Sequence, residues 1–270
     1  MSAIRISLSA LLAAWIAAAP VFAQGHEHGG DGDAPWSQAD AYNDPERMAA
    51  ARAALQHHHG GMTNWFVMID RLEAQFTEGE TALVLDGQGW YGGDLNKLWI
   101  KTEGEYSSEE DAFEELEVQA LWSRAVTPFF DFQAGIRYDF EPDGRAHGVV
   151  GLQGLAPYWF EVDAAAFISE DADVTARIEA EYELLMTQRL ILQPRVEVEL
   201  SAQDIPELGV GAGVSNIEAG VRLRYEIKRE FAPYLGVEWQ GAFGDTADYI
   251  RADGGDPKRT AIVAGIRAWF

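Results

Sequence analysis

Cysteine is absent from the 270 residues, which excludes disulfides and thiolate metal sites and leaves imidazole, thioether and carboxylate for any metal chemistry. Basic residues are scarce, with 20 Lys and Arg against 44 Asp and Glu and a formal net charge of -24. That balance repels nucleic acid phosphates, so nucleic acid is excluded as a partner and cations are the natural ones. Long apolar runs are missing too. A membrane-spanning helix needs roughly 18 or more consecutive apolar residues, and the stretch from Ile6 to Ala19 falls short of that. A helical inner-membrane protein is therefore excluded.

What is present begins with Arg5, the apolar stretch after it, then Pro20 and the small-residue ending Val21-Phe22-Ala23. This predicts a secretory signal peptide over residues 1–23, cut after Ala23. The remaining chain of about 245 residues can form one large domain. Residues 24–63 are poor in large apolar side chains and rich in Gly, Asp, Ala and His, which predicts a flexible, mostly disordered arm. Within it, Asp44 is placed to cap and Pro45 to occupy the first turn of one short helix reaching Leu55.

From residue 64 to 270 the pattern changes to runs of about ten residues in which alternate positions are apolar, the period of a strand with one greasy face. In one run Ala176, Ile178, Ala180, Tyr182 and Leu184 share a face, against Arg177, Glu179, Glu181 and Glu183 on the other. The next sets Leu192, Val196, Val198 and Leu200 against Gln193, Arg195, Glu197 and Glu199. A soluble sandwich alternates as well, so the connections matter. Every second one is tight, as at Gly92-Gly93-Asp94, Val126-Thr127-Pro128, Ala156-Pro157, Thr187-Gln188-Arg189 and Lys228-Arg229-Glu230. The intervening ones are acidic, from Glu78 to Glu80 through to the longest, Gly244 to Lys258. Short turns at one end and longer loops at the other are expected of outer-membrane barrels. Aromatic residues at run ends, including Trp65-Phe66, Trp90-Tyr91 and Tyr158-Trp159-Phe160, suit interfacial girdles, and a last strand ending in Phe270 suits a barrel signal. The expectation is an all-β, transmembrane, antiparallel up-and-down barrel of about twelve strands in the cell outer membrane. An even strand number leaves both termini periplasmic.

Five of the 6 histidines, His26, His28, His57, His58 and His59, precede the first strand, with Met62 close behind. Imidazoles plus a thioether suit copper, and zinc or nickel would also bind the imidazoles. A polar linker that merely happens to be His-rich is the plain alternative. In an extended segment three adjacent histidines cannot all point one way, so a site there needs folding on binding or help from another segment. The polar faces of the strands mix both charges, which reads either as a lumen plugged by cross-strand ion pairs or as a cation path. His147 is read as a satisfied lumen or loop histidine. No nucleophile motif of the Gly-x-Ser-x-Gly kind appears, so no enzyme activity is expected.

The segments His59-Gly60-Gly61-Met62, Asp70-Arg71-Leu72-Glu73, Gly89-Trp90-Tyr91-Gly92-Gly93-Asp94 with Asn96-Lys97-Leu98-Trp99, Lys101-Thr102-Glu103-Gly104-Glu105 and Gly154-Leu155-Ala156-Pro157-Tyr158-Trp159 resemble the copper resistance protein B family. The resemblance runs from about His57 to Phe270 and implies an outer-membrane barrel with a His/Met-bearing arm facing the periplasm, copper binding and copper tolerance. On this reading His57, His58, His59 and Met62, assisted by His26 and His28, capture copper ions. The barrel contacts outer-membrane lipid and sequesters or passes the metal, and periplasmic copper-handling proteins are partners. The alternatives are a weakly selective porin with an incidental arm, or a barrel anchoring a periplasmic partner.

Overall fold

The computed structural model describes residues 38–59, 62–77, 80–109 and 111–270, without the side chains of Gln56, His58 and His59. His26 and His28, like the expected signal peptide, lie outside the described residues.

The expected short helix is present as α1 (Pro45–His59) and runs four residues beyond Leu55. Asp44 Oδ1 accepts the backbone N–H groups of Glu46 and Arg47, both at 3.0 Å, so the cap is where the sequence placed it. The run of alanines and straight-chain residues carries the helix through the histidines. A short turn, Gln38–Ala41, precedes it, and Arg52 of α1 grips the Asp40 carboxylate through two contacts of 2.7 and 2.9 Å. That guanidinium holds the Asp40 carboxyl below its usual range.

The rest is one antiparallel sheet: β1 (Asn64–Phe76), β2 (Thr81–Gly92), β3 (Asn96–Ser107), β4 (Ala112–Ala125), β5 (Phe130–Glu141), β6 (Arg145–Ala156), β7 (Phe160–Ser169), β8 (Val174–Glu181), β9 (Leu184–Leu185), β10 (Leu190–Ser201), β11 (Gly213–Tyr225), β12 (Phe231–Ala242) and β13 (Lys258–Trp269). Neighbours in sequence pair, β10 joins both β8 and β11, and β13 returns to β1, so the sheet closes. The ladder extends to the last residue, where Phe270 and Val67 exchange backbone hydrogen bonds of 2.9 and 3.2 Å. β8 and β9 are two pieces of one stave, which makes a barrel of twelve. The break has a local cause. β9 pairs with β10 at Leu184 opposite Leu192, and β8 at Glu181 opposite Arg195. Pro194 lies between, and its ring nitrogen has no N–H to give to the neighbouring strand.

The alternation resolves as expected. Leu72, Leu83, Ile136, Val150, Ile178 and Val221 are exposed on the outside, while Arg71, Glu73, Glu117, Arg195 and Arg222 are buried inside. An apolar band of this extent is foreign to a water-facing surface and belongs against hydrocarbon. Trp65, Tyr91, Phe129, Tyr158, Trp159 and Phe270 stand exposed along the rim that also carries both ends of the barrel. The connections differ from expectation in one respect. On the opposite rim those at 77–80, 108–111, 142–144 and 170–173 are as short as the turns at 93–95, 126–129 and 186–189. Only 202–212 and 243–257 are long. These two pack together: α2 (Gly244–Ala252) sits in the second, Thr246 Oγ1 accepts the Gly211 N–H at 2.8 Å, and Ile205 and Ala247 are buried.

Closure is tightened from inside by Glu73 of β1. Its carboxylate accepts Nε and Nη2 of Arg222 on β11 at 3.0 and 2.8 Å and the Tyr234 hydroxyl of β12 at 2.9 Å. Both Glu73 and Tyr234 pair in register with Gly265 on β13, the strand between them. A Cβ at that glycine would fall 2.6 Å from Glu73 Cβ and from the Tyr234 hydroxyl oxygen. Gly265→Ala is therefore expected to destabilise the folded barrel by about 1–3 kcal/mol through overpacking, measured as a lower urea midpoint in detergent micelles.

Candidate functional site

His57 is an exposed residue of α1, and His58 and His59 complete that helix. Consecutive helical positions do not share a face, so the helical backbone, in place of the disordered one expected there, spreads these three positions around its axis. Met62 follows the helix and is exposed. Among the described residues no three His, Asp or Glu side chains form a group able to hold a metal ion.

The lumen is where the structure concentrates charge. The strand positions expected to face inward do so and interlock across the barrel. Arg71 of β1 meets Asp86 of β2 at 3.2 Å and Glu103 of β3 at 2.8 Å. Arg137 of β5 meets Glu117 of β4 at 2.6 Å. Lys101 of β3 pairs with Asp163 of β7, and Arg259 of β13 reaches Glu105 of β3 at 2.6 Å. Arg195 of β10 binds Glu179 of β8 at 2.7 Å, contacts Glu197 beside it on β10, and meets Glu218 of β11 at 3.3 Å. Charges removed from bulk water in this way are tolerable only when paired.

The cavities include one of about 270 Å³ at the terminal rim, where Arg224, Arg229 and Arg267 face Glu183 and Glu226, and two chambers within the charged lumen. The larger, about 430 Å³, occupies the half nearer the terminal rim and reaches it at Pro128, Phe129 and Leu155. Ten carboxylates and three cationic side chains line it, together with an apolar wall that includes Trp99, Leu121 and Phe167. The smaller, about 110 Å³, lies toward the long loops and has seven carboxylates to three arginines. Glu161 and Glu181 pair directly across β7 and β8 on the larger chamber's wall, which Arg267 also lines.

Asp70 is a lumen residue that the alternating pattern hides. β1 is irregular between Ile69 and Leu72, a bulge that turns Asp70 and Arg71 inward together, with Arg267 Nε 2.8 Å from Asp70 Oδ1. The visible signal is a change of phase: Trp65 and Val67 face out before it, Leu72 and Phe76 after it. Met68 also faces the larger chamber, and its sulfur accepts Arg267 Nη2 at 3.6 Å. His147 is largely buried on β6, its Nε2 3.0 Å from Asp139 Oδ2, and it lines neither chamber. It faces inward as a lumen residue, but apart from the approach to Asp139 its buried ring nitrogens have no hydrogen-bond partner.

A closed antiparallel barrel with an apolar outside, an aromatic rim and a charged interior defines a transmembrane β-barrel of the outer-membrane type. The same fold is found in the NanC porin structure, at 11% identity and a TM-score of 0.50, covering 76% of this chain and 99% of that one. The chain belongs to the copper resistance protein B family: the model described as Copper resistance protein B precursor (CopB) matches residues 63–270. Copper resistance protein B of Escherichia coli is 42% identical over 230 residues, 84% of this chain and 77% of that protein. The Copper resistance protein B homolog of Pseudomonas syringae pv. tomato is 39% identical over 268 residues, 95% of this chain and 90% of that protein.

Two consequences for the arm are measurable. Asp44→Ala removes the acceptor for two first-turn N–H groups and is expected to destabilise α1 by about 1 kcal/mol, read as faster hydrogen exchange at Glu46 and Arg47. Because the Asp40 carboxyl is held below its usual range, its contact with Arg52 is present above the ordinary aspartate range and is lost only as pH falls through the lowered value. A carboxyl carbon titration of Asp40 by NMR checks the direction, and an unshifted midpoint contradicts it.

Proposed function

We propose that this chain is a non-enzymatic outer-membrane protein that binds copper and contributes to copper resistance, taking up periplasmic ions with its arm and sequestering or passing them at the barrel. The observation that carries the reading is family membership across 63–270, the whole barrel, among proteins named for copper resistance. The arm supplies the donors that copper favours, His57, His58, His59 and Met62 with His26 and His28. The excess of carboxylates over cationic groups in both chambers suits a metal cation and opposes anions. The barrel wall meets outer-membrane lipid through its apolar band. The rim with both barrel ends and the tight turns faces the periplasm, which sets the arm among periplasmic copper-handling proteins.

A general porin is the weaker reading, because ion pairs such as Lys101 with Asp163 cross the lumen where an open pore would hold water. Copper bound per molecule of purified mature protein separates arm from barrel. A chain lacking residues 24–62, and a second with His57, His58 and His59 all changed to Ala, are both expected to lose most of the bound copper. Full retention in both assigns the metal to the barrel, and unchanged copper tolerance after gene deletion removes the resistance role.

A further inference from the structure

The two chambers meet at one place. Only Glu103 on β3, Arg177 on β8 and Glu197 on β10 border both of them, and of these three Arg177 alone is positive. Its guanidinium lies between carboxylates of three other strands: Glu103 at 2.7 Å, Glu117 and Glu197 at 3.3 Å, Glu115 and Glu199 at 3.4 Å. β3 and β8 are separated by four strands in the sheet order, so these contacts span the lumen rather than run along its wall. The guanidinium carbon stands 6.0 Å from the Phe167 ring centroid. Only the Glu103 contact is short; the other four are long, so the group is held by many weak bonds rather than one fixed fork.

We propose that Arg177 is the gate of the lumen, a tethered cation occupying the crossing between the two acidic chambers that a cation in transit must take. The proposal rests on the reading that the barrel passes cations. An arginine does not lose its proton in a protein, so the crossing always carries this positive charge. A small cation arriving from either chamber meets the same carboxylates and exchanges with the guanidinium for them. An anion meets acidic linings on both sides. The residue thus sets resting closure, while the acidic linings on both sides set the sign of the permeant ion.

Planar-bilayer recordings in potassium chloride test this without copper, so the gate and the copper reading fail separately. The full mature protein is expected to show a small, cation-selective conductance. Arg177→Gln, which removes the charge and shortens the side chain, is expected to raise it several-fold and to sharpen cation selectivity, seen as a larger reversal potential in a salt gradient. Arg177→Lys keeps the charge on a compact group that cannot spread over five carboxylates, and is expected to give a smaller rise. Folding of each variant is checked by the gel shift between heated and unheated samples. If Arg177→Gln does not fold, Arg177→Lys decides alone. A folded variant with the parent's conductance and reversal potential overturns the gate.

Discussion

The constraint on which everything else depends is that hydrocarbon offers a backbone no hydrogen-bond partner. A strand can cross a bilayer only if both of its edges are paired, so twelve staves must close and the first must find the last. Here the seam between β1 and β13 runs to the terminal residue, where Phe270 and Val67 exchange backbone bonds. The ladder is interrupted where Pro194 has no N–H to give, and there a stave splits into β8 and β9 rather than the barrel opening.

Closure creates a second problem, because it confines every inward side chain in a narrow space. Glu117, with its side chain 1% exposed, and Arg195, at 4%, are far from bulk water, and an unpaired charge there is costly. The solution is a web in which Arg71, Arg177 and Arg195 each serve several strands while Lys97, Lys101 and Arg259 each hold one carboxylate. Carboxylates outnumber those groups in both chambers, and the surplus gives each a negative field. The tendency of like charges to repel is met within the fold by arginines reaching across and by amides such as Gln193, which donates to Glu181 at 2.6 Å.

Much of this was legible beforehand. Alternation alone separated Ile178 from Arg177 and Val196 from Arg195, because side chains on a strand point to opposite faces in turn. Asp44 announced α1. What was hidden were departures from the regular period: the bulge that brings Asp70 in beside Arg71, the split at Pro194, and a helix that carries on through His57 to His59. Loop lengths misled in part, since four of the acidic connections are as tight as the turns opposite them. The candidate copper donors of the arm were readable only as residue types, and helical placement of His57, His58 and His59 was not.

The sequence by itself determined the all-β architecture, the two faces of each strand, the acidic character of the interior and the family, because these follow from local period, composition and motifs. The tertiary structure alone decided which charges meet. Glu73 and Arg222, 149 positions apart in the chain, and Arg177 and Glu103, 74 apart, are joined only because the sheet curls until distant strands face one another. Partnership across a lumen depends on register, curvature and closure together, and no single strand encodes any of the three.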